Sequence, residues 1–158
     1  MSDLCSTRAS LLYFPTKQFS PRFGDCFFTV SILSFKKMRA PSTFCSIGGV
    51  VFYEIEVKRG KLTWTVLRRY NEFAALYKSL EEEEMPTSDV PAFFPKKSVY
   101  SCLIFDRKFL ESRRKELEII LDKILTAAST RSVAITNFAA VTNFLELSTN
   151  HSDHVSLQ

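Results

Sequence analysis

The stretch "VVFYEIEVKR" at positions 50–59 constrains the fold most, because Val51, Tyr53, Ile55 and Val57 fall on one face and Glu54, Glu56 and Lys58 on the other. Period-two alternation of this kind describes a strand buried on one side only, and the apolar side of such a sheet has to be covered by another layer. Two further β-rich runs accompany it: "CFFTVSILSF" (26–35) before, and "KLTWTVLRRY" (61–70) after a "KRGK" turn. The expected sheet therefore has three antiparallel strands.

Helical patterns supply the cover, and all of them follow the strands, which is the order of an α+β domain rather than of a βαβ fold. The first spans about 71–84 with Asn71 as N-cap and Phe73, Leu76, Tyr77 and Leu80 on one side. The second spans about 106–127; Asp106 can cap it and Phe105 can pack on Leu110 as a hydrophobic staple. The third spans about 132–147, with Ala134, Phe138, Val141 and Leu145 on one stripe. Between the first two helices lies a proline-rich loop of some twenty residues, long enough to require a function or disorder. Residues 1–25 mix Ser, Thr, Pro and Arg without periodicity and read as a low-order extension; 26–148 form the domain; 149–158 are a polar tail.

Composition narrows the function classes. A net charge of +4 and a sequence pI near 8.9 favour an anionic partner. Cys5, Cys26, Cys45 and Cys102 have no metal-ligand spacing, so no zinc site is expected and reduced thiols in a cytoplasmic setting are the simpler reading. The two histidines, His151 and His154, lie in the polar tail, and no nucleotide-binding or hydrolase motif is present, so neither an enzyme nor a cofactor or metal site is expected. No apolar run approaches the ~18 residues of a membrane span, so membrane contact is expected to be peripheral. Nucleic acid fits less well, because the basic residues gather at one place rather than along a groove.

Three residues break the amphipathic pattern. On the second helix Phe109, Leu110, Leu117, Ile120, Leu121 and Ile124 form an apolar stripe, and Arg113 lies near its middle. A guanidinium there either snorkels to water or meets an anion, since desolvating it unpaired costs several kcal/mol. Arg114 sits at the stripe's edge, within reach of Glu111 and Glu118. Arg68 and Arg69 end the third strand pattern and point to opposite faces. Tyr70 follows at the strand-to-helix corner, either as core packing or as the floor of a pocket. In the loop, "VPAFFPKKS" presents Phe93 and Phe94 between prolines, either to cap the core or to face outward.

Taken together, these residues resemble a phox-homology (PX) domain of the sorting-nexin type. The resemblance rests on "RRYNEF" (68–73), "VPAFFPKK" (90–97), "FLESRRKELEIIL" (109–121) and "NFLEL" (143–147), in that order. It implies an α+β fold in which a three-stranded antiparallel sheet packs on three or four helices, with a headgroup pocket between sheet end, proline loop and long helix. It further implies that Arg69 binds the 3-phosphate of phosphatidylinositol 3-phosphate, that Tyr70 packs under the inositol ring, and that Arg113 binds the 4- and 5-hydroxyls. Lys97 fits the spacing of the 1-phosphate ligand, with Lys96 as the alternative there and Arg68 as a further alternative headgroup ligand; Pro91 and Pro95 stand four apart where the family has three. Phe93 and Phe94 would insert into the bilayer, with Val99 and Tyr100 as weaker candidates. The implied role is peripheral recruitment to endosomal or vacuolar membranes in trafficking; the rival is a protein-interaction scaffold of the same fold with little lipid affinity.

Overall fold

The computed structural model describes residues 11–38, 49–83, 106–129, 135 and 138–147. Its elements run β1 (Leu12–Tyr13), β2 (Phe27–Met38), β3 (Val50–Arg59), β4 (Leu62–Arg69), α1 (Tyr70–Glu82), α2 (Arg107–Ser129) and α3 (Ala139–Leu145), with a 3-10 turn at Pro21–Phe23. The sheet order is β1-β2-β3-β4, so the expected meander is present as β2-β3-β4. Tyr53, Ile55 and Val57 of β3 are buried with Phe28, Val30 and Ile32 of β2. Helices cover that face with Phe73 and Leu80 from α1 and Leu117 and Ile124 from α2. This is the α+β layering that the alternation in β3 demands.

A fourth strand was not expected. β1 pairs in parallel with β2, Leu12 opposite Phe27 and Tyr13 opposite Phe28. Leu11 and Tyr13 are buried, so residues 11–25 belong to the packed domain and the low-order reading fails there. Tyr13 is tied to α2 twice, its N–H donating to Ser129 Oγ at 2.9 Å and its hydroxyl to Asp122 Oδ1 at 2.6 Å. Cys26 is disulfide-bonded, which overturns the expectation of reduced thiols at that position and removes cysteine content as an argument for a reducing compartment.

The helix boundaries also shift. α1 begins at Tyr70 with Arg69, not Asn71, as N-cap. The reason is Glu72, whose carboxylate accepts the Arg69 backbone N–H at 2.6 Å and fixes the turn one residue earlier. Asp106 does cap α2, accepting from Lys108 N–H at 3.2 Å, whereas Phe105 of the expected staple lies outside the described residues. α3 is shorter than expected: Phe138 is its N-cap and Ile135 sits in a separate 3-10 position.

A register shift between Ile32 and Ser34 leaves Leu33 as the extra, exposed residue of β2. Here α2 covers the strand edge chemically. Glu118 Oε1 accepts the Ile32 N–H at 3.2 Å, and Arg114 Nη1 donates to the Ile32 carbonyl at 2.6 Å. Arg114 also pairs with Glu111 and Glu118, as the sequence suggested, so a surface ion-pair cluster doubles as a substitute strand for a β2 edge.

Burial pushes the Tyr53 phenol up to about 12, with the Arg113 cation partly opposing it. Tyr13 is raised as well, by burial first and then by its bond to Asp122. A phenol whose folded pKa exceeds its unfolded value of about 10 contributes its full stabilisation below that value and loses it as pH rises toward the folded one. Urea melts followed by circular dichroism should therefore show stability falling above pH ~10, the Tyr53 share of on the order of 2 kcal/mol being lost by pH ~12 and the Tyr13 share continuing to fall beyond it. Tyr53→Phe should reduce that slope between pH ~10 and ~12 without abolishing it, since Tyr13 remains, and an unaltered slope in that variant would assign it to other groups.

Candidate phosphoinositide headgroup site

The site begins at the end of β4, where alternation sends Arg68 and Arg69 to opposite faces of the sheet. Arg68 pairs with Tyr53 across the ladder and so faces the helices, while Arg69 pairs with Phe52, which pairs in turn with Lys36. The result is a cross-strand row Lys36–Phe52–Arg69 on the opposite face, with the Arg69 side chain exposed at its end.

Arg68, an alternative ligand in the sequence, is instead committed to the fold. Its Nε donates to the Phe144 carbonyl at 2.8 Å, and its Nη2 to Glu146 Oε1 at 2.7 Å and the Asn143 carbonyl at 3.4 Å. Its Nη1 donates to the Leu67 carbonyl at 3.0 Å. Four residues before it, Trp64 Nε1 donates to the Leu145 carbonyl at 3.0 Å. A helix leaves its last four carbonyls unpaired. Here the Thr142 carbonyl is taken by the Leu147 N–H at 3.0 Å, and Trp64 and Arg68 take the three that follow. Arg68 thus ends α3 rather than entering a pocket, which corrects its alternative assignment.

Arg113 answers the question posed by its place on the stripe: it does not snorkel. It is one of two buried polar or charged residues among those described, only 6% exposed in a helix whose neighbouring buried positions are aliphatic. Its guanidinium carbon lies 4.6 Å from the centroid of the Tyr70 ring and 4.5 Å from that of Phe109. Two aromatic faces thus hold the cation, each worth up to about 2 kcal/mol when desolvated. Burial raises the Tyr70 phenol and the Arg113 charge opposes that rise, as it does at Tyr53. The three side chains therefore share one electrostatic environment at the junction of sheet, α1 and α2.

Tyr70 is the first residue of α1 and chain neighbour to Arg69. The structure thus brings Arg113 onto Tyr70, more than forty positions away in the chain, whereas Arg69, the chain neighbour of Tyr70, stands in the row on the sheet face away from the helices. Phe93, Phe94, Lys96, Lys97, Val99 and Tyr100 lie outside the described residues. Two contributors had not been assigned these roles. Phe109, counted only as stripe, orients the Arg113 guanidinium; Glu72 fixes the Arg69 backbone, and its position three residues after the cap was the available signal. Among the described residues, no group of His, Cys, Asp and Glu is arranged to hold a metal, and no helix is long and apolar enough to cross a membrane.

The model of the PX domain family matches residues 56–148 of this chain. Among solved structures, a designed CISK-PX domain is 33% identical over 74% of this chain and 97% of its own length, with a TM-score of 0.55. The mouse SNX19 PX domain, solved with a bound sulfate ion, is 25% identical over 75% of this chain and 94% of its own length, with a TM-score of 0.52. The chain belongs to the PX domain family, whose members are in general phosphoinositide-binding modules of membrane trafficking.

Proposed function

We propose that this PX domain binds phosphatidylinositol 3-phosphate and thereby attaches peripherally to endosomal-type membranes. One observation carries the reading: a guanidinium, Arg113, buried on an otherwise apolar helix face and laid against the ring of Tyr70, the residue that follows the exposed Arg69 in the chain. A core does not need such a cation for packing, whereas a phosphorylated sugar ring requires fixed, directed donors.

In this reading Arg69 takes the 3-phosphate. Guanidinium is always charged and donates two parallel hydrogen bonds to a phosphate, and its exposure leaves the fork accessible to a headgroup. Tyr70 offers its ring to the inositol, and Arg113, with its plane fixed by Tyr70 and Phe109, donates to the 4- and 5-hydroxyls. Lys97, or Lys96 next to it, supplies the 1-phosphate charge. A few charge-assisted bonds of about 1.5 to 3 kcal/mol each, less the cost of association, correspond to roughly micromolar affinity.

Phe93 and Phe94 would add membrane insertion beside the headgroup, each ring contributing roughly 1.5 to 3 kcal/mol when buried. The test uses vesicles carrying each phosphoinositide in turn, together with the soluble headgroup inositol 1,3-bisphosphate. Vesicles with phosphatidylinositol 3-phosphate should bind most tightly. The double variant Phe93→Ala/Phe94→Ala should lose vesicle binding by more than about tenfold while keeping its affinity for the soluble headgroup. Equal retention on vesicles with and without phosphoinositide would leave the scaffold reading standing in its place.

A further inference from the structure

Cys26 is disulfide-bonded, and the other cysteines of the chain, Cys5, Cys45 and Cys102, all lie outside the described residues. The lengths of the elements between them decide which one is the partner. A disulfide joins Cα atoms no more than about 7 Å apart, and n residues of chain span at most ~3.6 Å × n. Cys45 is too far along the sheet. Cys26 directly precedes β2, which runs from Phe27 to Met38, where Met38 pairs with Val50. At ~3.3 Å per residue that strand carries the chain ~35 Å away from Cys26. Cys45 stands five residues before Val50, so it can return by no more than ~18 Å.

Cys102 fails for the same reason on the helical side. α2 runs back along β2: Ser129 Oγ accepts the Tyr13 N–H near Cys26, and Glu118 accepts the Ile32 N–H halfway along the strand. Asp106, the cap of α2, lies twelve residues beyond Glu118, which places it roughly 30 Å from Cys26. Cys102 stands four residues before Asp106, a reach of ~14 Å. Cys5 meets no such obstacle. It stands seven residues before Leu12, whose N–H donates to the Cys26 carbonyl at 2.8 Å. Its reach of up to ~25 Å therefore starts from a residue already touching Cys26. We infer that Cys5 and Cys26 form one disulfide, and that this bond is a redox-operated strap fastening β1 to the edge of β2.

The strand it fastens is the shortest of the sheet, two residues paired with β2. Beyond the Tyr13 bonds to Ser129 and Asp122, its ladder consists of the Leu12 and Phe14 N–H groups, which donate to the Cys26 and Phe28 carbonyls at 2.8 and 2.9 Å. A covalent link across the twenty residues between Cys5 and Cys26 removes entropy from the opened chain and so favours the docked strand. Cys26 is half-buried rather than sealed in the core, so a small thiol can reach it. In forming the bond the two thiols give up two protons and two electrons; glutathione disulfide takes them and leaves as two glutathione thiols. Two glutathione thiols attacking in turn reverse each of these changes. The headgroup corner lies at the other end of the sheet, since Arg69 pairs with Phe52, seven residues along β3 from Arg59, the partner of Phe28. The strap and that corner are therefore separate devices.

The experiment equilibrates the whole chain with a mixture of glutathione disulfide and glutathione, blocks the remaining thiols with iodoacetamide, and digests the product with trypsin, which leaves the four cysteines on four separate peptides. Mass spectrometry should find peptide 1–8 joined to peptide 23–36, with Cys45 and Cys102 alkylated. Dithiothreitol should lower the melting midpoint of the oxidised chain by about 10 °C and speed hydrogen exchange at the Leu12 and Phe14 amides. Cys5→Ser and Cys26→Ser should each melt like the reduced wild type and ignore dithiothreitol, whereas Cys45→Ser and Cys102→Ser should keep the full response. The pairing is overturned if Cys26 is recovered joined to Cys45 or Cys102, if it is alkylated after oxidation, or if Cys5→Ser retains the response to dithiothreitol. The strap is overturned if the bond forms between Cys5 and Cys26 but its reduction leaves both the midpoint and the β1 exchange unchanged. Neither the peptide map nor the melts involve lipid, so their outcome is independent of the headgroup assignment.

Discussion

Arg69→Ala is expected to lower affinity for phosphatidylinositol 3-phosphate vesicles by on the order of 100-fold, a loss of about 2.7 kcal/mol, while leaving the melting temperature almost unchanged. The magnitude follows from removing a forked, charge-assisted contact to phosphate, in which each bond contributes about 1.5 to 3 kcal/mol net. The absence of a stability effect follows from geometry. The Arg69 side chain is exposed, and the residue serves the fold through its backbone N–H, held by Glu72 at 2.6 Å, which alanine retains. Vesicle co-sedimentation and a thermal melt on the same preparation read both quantities. Wild-type affinity in the variant would remove Arg69 from the proposed pocket and with it the reading of the Tyr70–Arg113 corner as its continuation. Arg69→Lys should recover only part of the loss, because an ammonium supplies charge without the planar fork.

Much of this corner was legible in the sequence, for a physical reason. A buried cation on an apolar helix face violates the amphipathic pattern, and violations of local rules concentrate at sites that do something other than pack. Arg113 stands out in the sequence on these terms. The β3 alternation was equally plain, since burial on one face forces a period of two, and the faces it assigned are the faces observed. What could not be read was set by contacts between distant segments. β1 is two residues long and followed closely by Pro15, so it has no periodicity of its own and exists only because β2 offers an edge. The Leu33 bulge has no local signature either; it is held by Glu118 and Arg114, more than eighty residues later. The N-cap of α1 was displaced by one residue because a capping preference for Asn competed with Glu72 at the third helical position, and the glutamate prevailed.

The neighbouring arginine should behave in the opposite way. Arg68→Ala is expected to destabilise the domain by about 3 kcal/mol, a fall of roughly 10 °C in melting temperature for a domain of this size, and to leave lipid affinity near wild type below the new transition. The loss arises at α3, a helix of seven residues that is too short to persist on its own. Its terminal carbonyls at Asn143 and Phe144 accept from Arg68, and Glu146, at the left-handed C-cap position with φ of 55°, pairs with the same guanidinium at 2.7 Å. Removing the side chain strands the Phe144 carbonyl and leaves that of Asn143 only the Glu146 N–H at 3.4 Å, beside the Phe144 ring, which lies 5.6 Å from the Arg68 guanidinium carbon and packs on Phe73 of α1. The damage therefore spreads from α3 into the α1 core rather than toward Arg69. Arg68→Lys should restore the ion pair with Glu146 but not the simultaneous reach to the carbonyls, so an intermediate stability is expected. The measurement is urea unfolding for each variant beside vesicle binding at a temperature where all are folded. If Arg68→Ala instead loses lipid affinity as deeply as Arg69→Ala while its unfolding midpoint stays put, then Arg68 turns toward the headgroup when lipid is bound, and the division of labour between the two adjacent arginines is wrong.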